Sequence, residues 1–146
     1  MNNRTDLKVE LLGEEVAITG KRMPNGEVRR RVKFADDTAL HYTIAPLNTE
    51  WQNAHFHKGL TEVQLVISGK MAVVRCDSQG RSIEFFMPGE VCVSSPWHVH
   101  NVYLYPGSVL ATITYGKPIG DPSRKGNDWW AADAEFEAWS KQQVLP

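Results

Sequence analysis

A chain of 146 residues with 42% hydrophobic content is long enough to bury one sizeable core and too short for two ordinary domains, so residues 1–146 read as one domain. Its net charge of -1 gives no global basic field to recruit nucleic acid. No apolar run approaches a membrane-spanning length and Met1 to Asp6 opens no signal-peptide core, so the expectation is a cytoplasmic protein without a membrane partner.

Strands and turns alternate from the start. Leu7 to Leu12 and Glu14 to Thr19 are strand-like, and Met23-Pro24-Asn25-Gly26-Glu27 carries an Asn-Gly turn signal. Val28 to Phe34 follows, and its basic cluster Arg29-Arg30-Arg31 reads as the solvated face or edge of a strand. Ala39 to Ala45 is the next strand, with His41 and Tyr42 as candidate pocket groups, and a loop runs from Pro46 to Asn53. After His55-Phe56-His57 and a short break at Lys58-Gly59-Leu60-Thr61, Glu62 to Ser68 is rich in β-branched residues and ends at the turn Ser68-Gly69-Lys70.

Met71 to Cys76 and Val91 to Val93 are strand-like and hold the two cysteines, Cys76 and Cys92, which read as free buried thiols without chemistry. Turns are signalled at Asp77-Ser78-Gln79-Gly80, Met87-Pro88-Gly89 and Tyr105-Pro106-Gly107-Ser108. His98-Val99-His100 leads into a strand over Asn101 to Tyr105, and Val109 to Tyr115 is the last strong strand. Gly116 to Gly126 reads as a loop and a candidate lid, and Asn127-Asp128 caps an amphipathic helix over 128–143 that docks Trp129, Ala132, Phe136 and Trp139 on the sheets. Many short strands with Gly/Pro punctuation argue for an all-β sandwich or barrel over residues 7–115, a loop over 116–127 and a C-terminal helix.

The chemistry concentrates at the histidines. Residues i and i+2 of a strand face one side, so His55 and His57 can present both imidazoles to one point, and Glu62 opens the strand that returns beside them. The pattern His55-X-His57-X4-Glu62-X6-Gly69 resembles the first motif of the cupin superfamily, except that Thr49 stands where that family often has glycine. The second motif is matched only at Gly89 and His100: Ser95 stands at its proline, Trp97 at its glycine and Leu104 at its asparagine, so the turn before the last histidine is expected to be rebuilt. The resemblance implies a double-stranded β-helix, or jelly-roll barrel, binding a metal through His55, His57, Glu62 and His100. His98 competes with His100; it is open to reading as a weaker fifth ligand or as an acid/base at the pocket mouth.

Three neutral imidazoles and one carboxylate suit one divalent transition metal: iron, manganese, nickel, cobalt or zinc. Two open positions on such an ion are what catalysis needs. The candidate catalytic residues are His98, Gln64 and Tyr103. Gln64 shares the parity of Glu62, whereas Tyr103 lies on the opposite face from His100, where packing is favoured. No Gly-X-Gly-X-X-Gly or Gly-X4-Gly-Lys-Ser/Thr motif supplies a second cofactor.

Three functions fit: a non-redox enzyme performing isomerisation, epimerisation, cyclisation or lyase chemistry on a small oxygen-rich molecule, an iron-dependent dioxygenase, or a binding or sensing protein without turnover. Parity adds that, with Glu62, Gln64, Val66 and Ser68 inward, Val63, Leu65 and Ile67 form an outer apolar face that needs cover. Small cupins are often homodimers, so a dimer is expected.

Overall fold

In the computed structural model, residues 7–11, 14–34 and 37–146 are described, with side chains from Thr19 onward. Leu12, expected to close the first strand, lies outside them. The strands are β1 (Leu7–Leu11), β2 (Glu14–Arg22), β3 (Val28–Lys33), β4 (Ala39–Ile44), β5 (His55–Phe56), β6 (Leu60–Ser68), β7 (Met71–Asp77), β8 (Gly80–Phe86), β9 (Val91–Ser94), β10 (Val99–Leu104), β11 (Val109–Gly116) and β12 (Trp130–Ala131). They form two antiparallel sheets, ordered β1-β2-β3-β4-β11-β6-β9 and β12-β5-β10-β7-β8.

Period-two alternation builds the space between the sheets. On β6, Glu62, Gln64 and Val66 are buried, as parity requires, while Ile67 and Ser68 at the strand end are exposed. Strand β7 lies deeper: Met71, Ala72, Val73 and Val74 are all fully buried, which suits a central strand covered on both faces. One core cluster joins Val66, Met71, Val73, Val102, Leu104 and Leu110 at the end away from the histidines; Leu104, at the position of the motif's asparagine, belongs to it.

The turn between β6 and β7 shows why the first motif ends in glycine. Gly69 has φ +82, and a Cβ there would fall 2.1 Å from Ser108 Oγ, the hydroxyl that accepts from Lys70 N–H at 2.9 Å.

The C-terminal segment differs from its expected form. The helix α1 spans Ala134–Lys141, not 128–143, because Asp133 is the N-cap, its carboxylate accepting from Phe136 N–H at 2.8 Å. Ahead of it Trp130 and Ala131 pair with Phe56 and His55 as β12, a strand too short to leave a periodic trace in the sequence. Phe136 is buried with Ala54 and Val74, and the buried amide of Asn101 donates to Ser140 Oγ at 2.9 Å, so α1 is docked beside β10.

Candidate metal centre

Backbone pairing brings the two histidine motifs together: His55 of β5 lies directly opposite His100 of β10. His57 follows β5, where its carbonyl accepts from Trp97 N–H at 2.7 Å, and Glu62 enters from β6 in the other sheet. The four ligand atoms of His55, His57, Glu62 and His100 all lie within 4.8 Å of one another, and all four residues are buried. The expected register at His100 therefore holds.

The rebuilt turn has a specific form. Trp97 itself adopts the left-handed region at φ +69, the conformation a glycine there would take without strain. Its exposed ring stacks on Phe56 at 5.5 Å, which holds the turn from outside.

Each imidazole is aimed by the chain. The Nδ1 atoms of His55 and His100 meet the carbonyls of Asn53 at 2.9 Å and His98 at 2.8 Å, and that of His57 meets the Asp128 carbonyl. With Nδ1–H donating to the backbone, each Nε2 keeps a free lone pair. His57 Nε2 and His100 Nε2 are buried without a hydrogen-bond partner, 3.5 and 3.4 Å from the two oxygens of Glu62. Buried acceptors left bare around a carboxylate are what a cation would satisfy. The donor set fits a divalent metal.

Burial, then the neighbouring His100, pulls His55 down to about 3, so its imidazole stays neutral. Burial opposes the charge on Glu62 too, but contacts with His100 and His57 hold its carboxyl well below the usual range. At His57 burial is outweighed by Glu62, which leaves the imidazole raised above 6.5.

The residues 117–131 wall one side of the centre. The Asp128 carboxylate accepts from the backbone N–H groups of Lys58 and Gly59 at 2.8 Å and of Ile119 at 3.1 Å, tying this segment to the turn that joins His57 to Glu62. Trp129 stacks on His55 at 5.0 Å and 17°. Asp128, expected as a helix cap, thus braces the centre; its isolated position in a Gly/Pro-rich stretch carried no periodic signal.

A cavity of about 570 Å³ opens over the ligands, within the range of small-molecule sites. Gln64 lines it, its buried Oε1 without a partner, and so does His41, whose Nε2 is likewise buried and unpartnered. Burial, then Arg31, lowers His41 to about 4. The other expected groups lie elsewhere. His98 is exposed and does not line the cavity, because the Trp97 turn places it before β10 begins. Tyr103 faces away, accepting from Thr49 Oγ1 at 2.6 Å and packing on Trp51, and Tyr42 is exposed on the outer face. Arg30 and Arg31 are exposed, as expected of the basic cluster, and Arg29 is half-buried; Arg29 and Arg31 also line the cavity, because β3 is an interior strand whose alternate residues face inward.

No family model matches the chain, and no curated protein matches it in sequence. Solved structures do match in fold. Oxalate decarboxylase from Lactobacillus farciminis, in a formate complex, superposes with a TM-score of 0.58 at 16% identity over 87% of this chain and 36% of that one. The structure of KdgF from Halomonas sp. gives 0.56 at 16% identity over 67% of this chain and 86% of that one. The fold is that of a cupin. Oxalate decarboxylase from Bacillus subtilis gives 0.59 at 15% identity over 75% of the present cupin, which spans 29% of that chain's length. Its four converging ligands fit a metal-binding cupin.

Single alanine substitutions at His55, His57, Glu62 and His100 are each expected to remove most bound metal, whereas His98→Ala keeps it; elemental analysis of the purified variants checks this. An entering ion must also displace the His57 proton. Affinity is therefore full above the raised pKa of His57, which lies above 6.5, and weakens about tenfold per unit as pH falls below it. Metal titrations between pH 5 and pH 8, with His57→Ala as control, measure the slope.

Proposed function

We propose that this cupin is a metal-dependent enzyme performing non-redox isomerase, epimerase, cyclase or lyase chemistry on a small oxygen-rich substrate. The observation that carries this reading is the neutral, unpartnered imidazole of His41 in the same cavity as the bare ligand cluster. A base beside a metal position is the equipment for removing a proton from carbon. A divalent ion held by His55, His57, Glu62 and His100 would polarise a substrate oxygen and ease formation of an enolate.

The chain's own groups do the rest. His41 is kept unprotonated by burial and Arg31, so its Nε2 presents a free lone pair to the cavity at neutral pH. The Oε1 of Gln64 accepts a substrate hydroxyl, and Trp129, stacked on His55, keeps water from that side of the centre. The neighbours named oxalate decarboxylase are lyases by name, which supports this class of chemistry.

The test is turnover on a panel of hydroxy and keto acids and sugars by protein loaded with zinc or cobalt under anaerobic conditions. Activity there, lowered at least about hundredfold in His41→Ala, is the expected result. Activity that demands both iron and oxygen would assign a dioxygenase, and metal binding without turnover would assign a sensor.

We also propose a homodimer. Across five strands of the larger sheet, Val32, Leu40, Ile113, Val63 and Val93 stand side by side on the outer face, flanked by the exposed Tyr42, Ile44, Ile67, Val91 and Tyr115. So broad an apolar face on a soluble chain supports burial against a second copy. Sedimentation at micromolar concentration is expected to give twice the chain mass of 16.5 kDa, and Ile113→Asp to give a monomer. Free Cys76 and Cys92 suit the cytoplasmic location we assign.

A further inference from the structure

The inward side of the larger sheet carries one polar row that the ligand cluster does not use. Strand register places Arg31 beside His41, His41 beside Thr112, and Thr112 beside Gln64. All four line the cavity. Gln64 is one inward position from Glu62, roughly 7 Å along the strand, so this row runs from next to the metal ligands outward to β3.

The charges along it are unequal. Arg29 is already neutralised: its guanidinium donates to buried Glu27 at 2.7 Å, and Gln52 donates to the same carboxylate. The Arg124 guanidinium lies over the Trp129 ring at 4.0 Å. Arg31, exposed at the open rim of the cavity, has neither kind of partner: among the described residues its side chain makes no hydrogen bond or ion pair, and of the other lining cations only the Lys21 ammonium shares that state. The carboxylates that line the cavity are both committed, Glu62 to the histidines and Asp128 to backbone N–H groups. An arginine held unpaired at the wall of such a cavity is suited to a planar oxyanion, which it can grip with two parallel N–H donors.

We propose that Arg31 anchors a substrate carboxylate, so that the cavity takes a small organic acid whose carboxylate lies at β3 and whose other oxygen functions reach the metal position. This rests on the metal-dependent reading above and names its substrate class. Three strand spacings of roughly 4.8 Å separate Arg31 from Gln64, which leaves room for several carbons between the two ends. His41 stands between them in the row, so its imidazole would face the carbons between the anchored carboxylate and the oxygen functions at the metal position.

The test uses the full chain loaded with cobalt and two probes that differ only in distal charge: 2-hydroxyglutarate and its 5-amide. Binding is followed by the cobalt absorption spectrum and by calorimetry, with cobalt content measured on each sample. The diacid is expected to bind roughly tenfold or more tightly than the amide. Arg31→Gln should erase that ratio with cobalt content unchanged, and Arg30→Gln, on the outer face, should preserve it; Arg31→Met replaces the glutamine variant should that one not fold. Equal binding of the two probes by the native chain, binding of neither, or a ratio that survives loss of Arg31 would overturn the anchor. A chain that takes up no cobalt would overturn the metal-dependent reading itself, so the two failures are told apart.

Discussion

Three imidazoles and a carboxylate packed out of water repel one another's protons, resist losing their hydration and leave acceptor atoms bare. The sheets hold them there regardless, and most of the surrounding structure is arranged around that constraint. Backbone carbonyls of Asn53, His98 and Asp128 fix each imidazole through Nδ1, and β5 exists as a strand of two residues to set His55 against His100. A cation held by His55, His57, Glu62 and His100 would relieve the constraint by satisfying the bare acceptor atoms. Metal bound there would stabilise the folded chain, because the unfolded chain has no such convergence.

The centre is asymmetric in its supports. Glu62 and Gln64 belong to a nine-residue strand whose register is fixed by pairing with β11 on one side and β9 on the other, so both sit on the rigid part of the molecule. The histidines lie near strand ends and depend on turns and on the segment around Asp128. Loss of packing at α1 or in 117–131 therefore reaches the imidazoles first and the carboxylate last.

What the sequence made legible follows from how local each feature is. The ligand set could be read because His-X-His and the distance to Glu62 are encoded within one short stretch of chain, and His100 because the count from Gly89 survives a rebuilt turn. His98 shares the parity of His100, yet the left-handed backbone at Trp97 takes it out of the strand, and parity has no meaning across such a turn. The basic triplet reads as solvent-facing because that is its ordinary meaning, and Arg30 and Arg31 are exposed; that Arg29 and Arg31 also border the cavity follows only from the sheet order, which pairs β3 with β2 and β4. The helix start was misplaced for a similar reason, since Asp128 and Asp133 are equally good caps and long-range contacts with Lys58 and Gly59 claim the first.

The bracing of residues 117–131 by Asp128 bears on how this protein can change over evolutionary time. Loops at the rim of a barrel are ordinarily where new specificities arise, because they tolerate substitution without disturbing the scaffold. Here the same residue holds the loop in place and orients His57, so remodelling the loop to admit a different molecule also disturbs the metal position. The opposite wall carries no such double duty. Variation in what the site accepts is therefore channelled to β3 and β4, where a side chain can be exchanged while the metal position stays as it is.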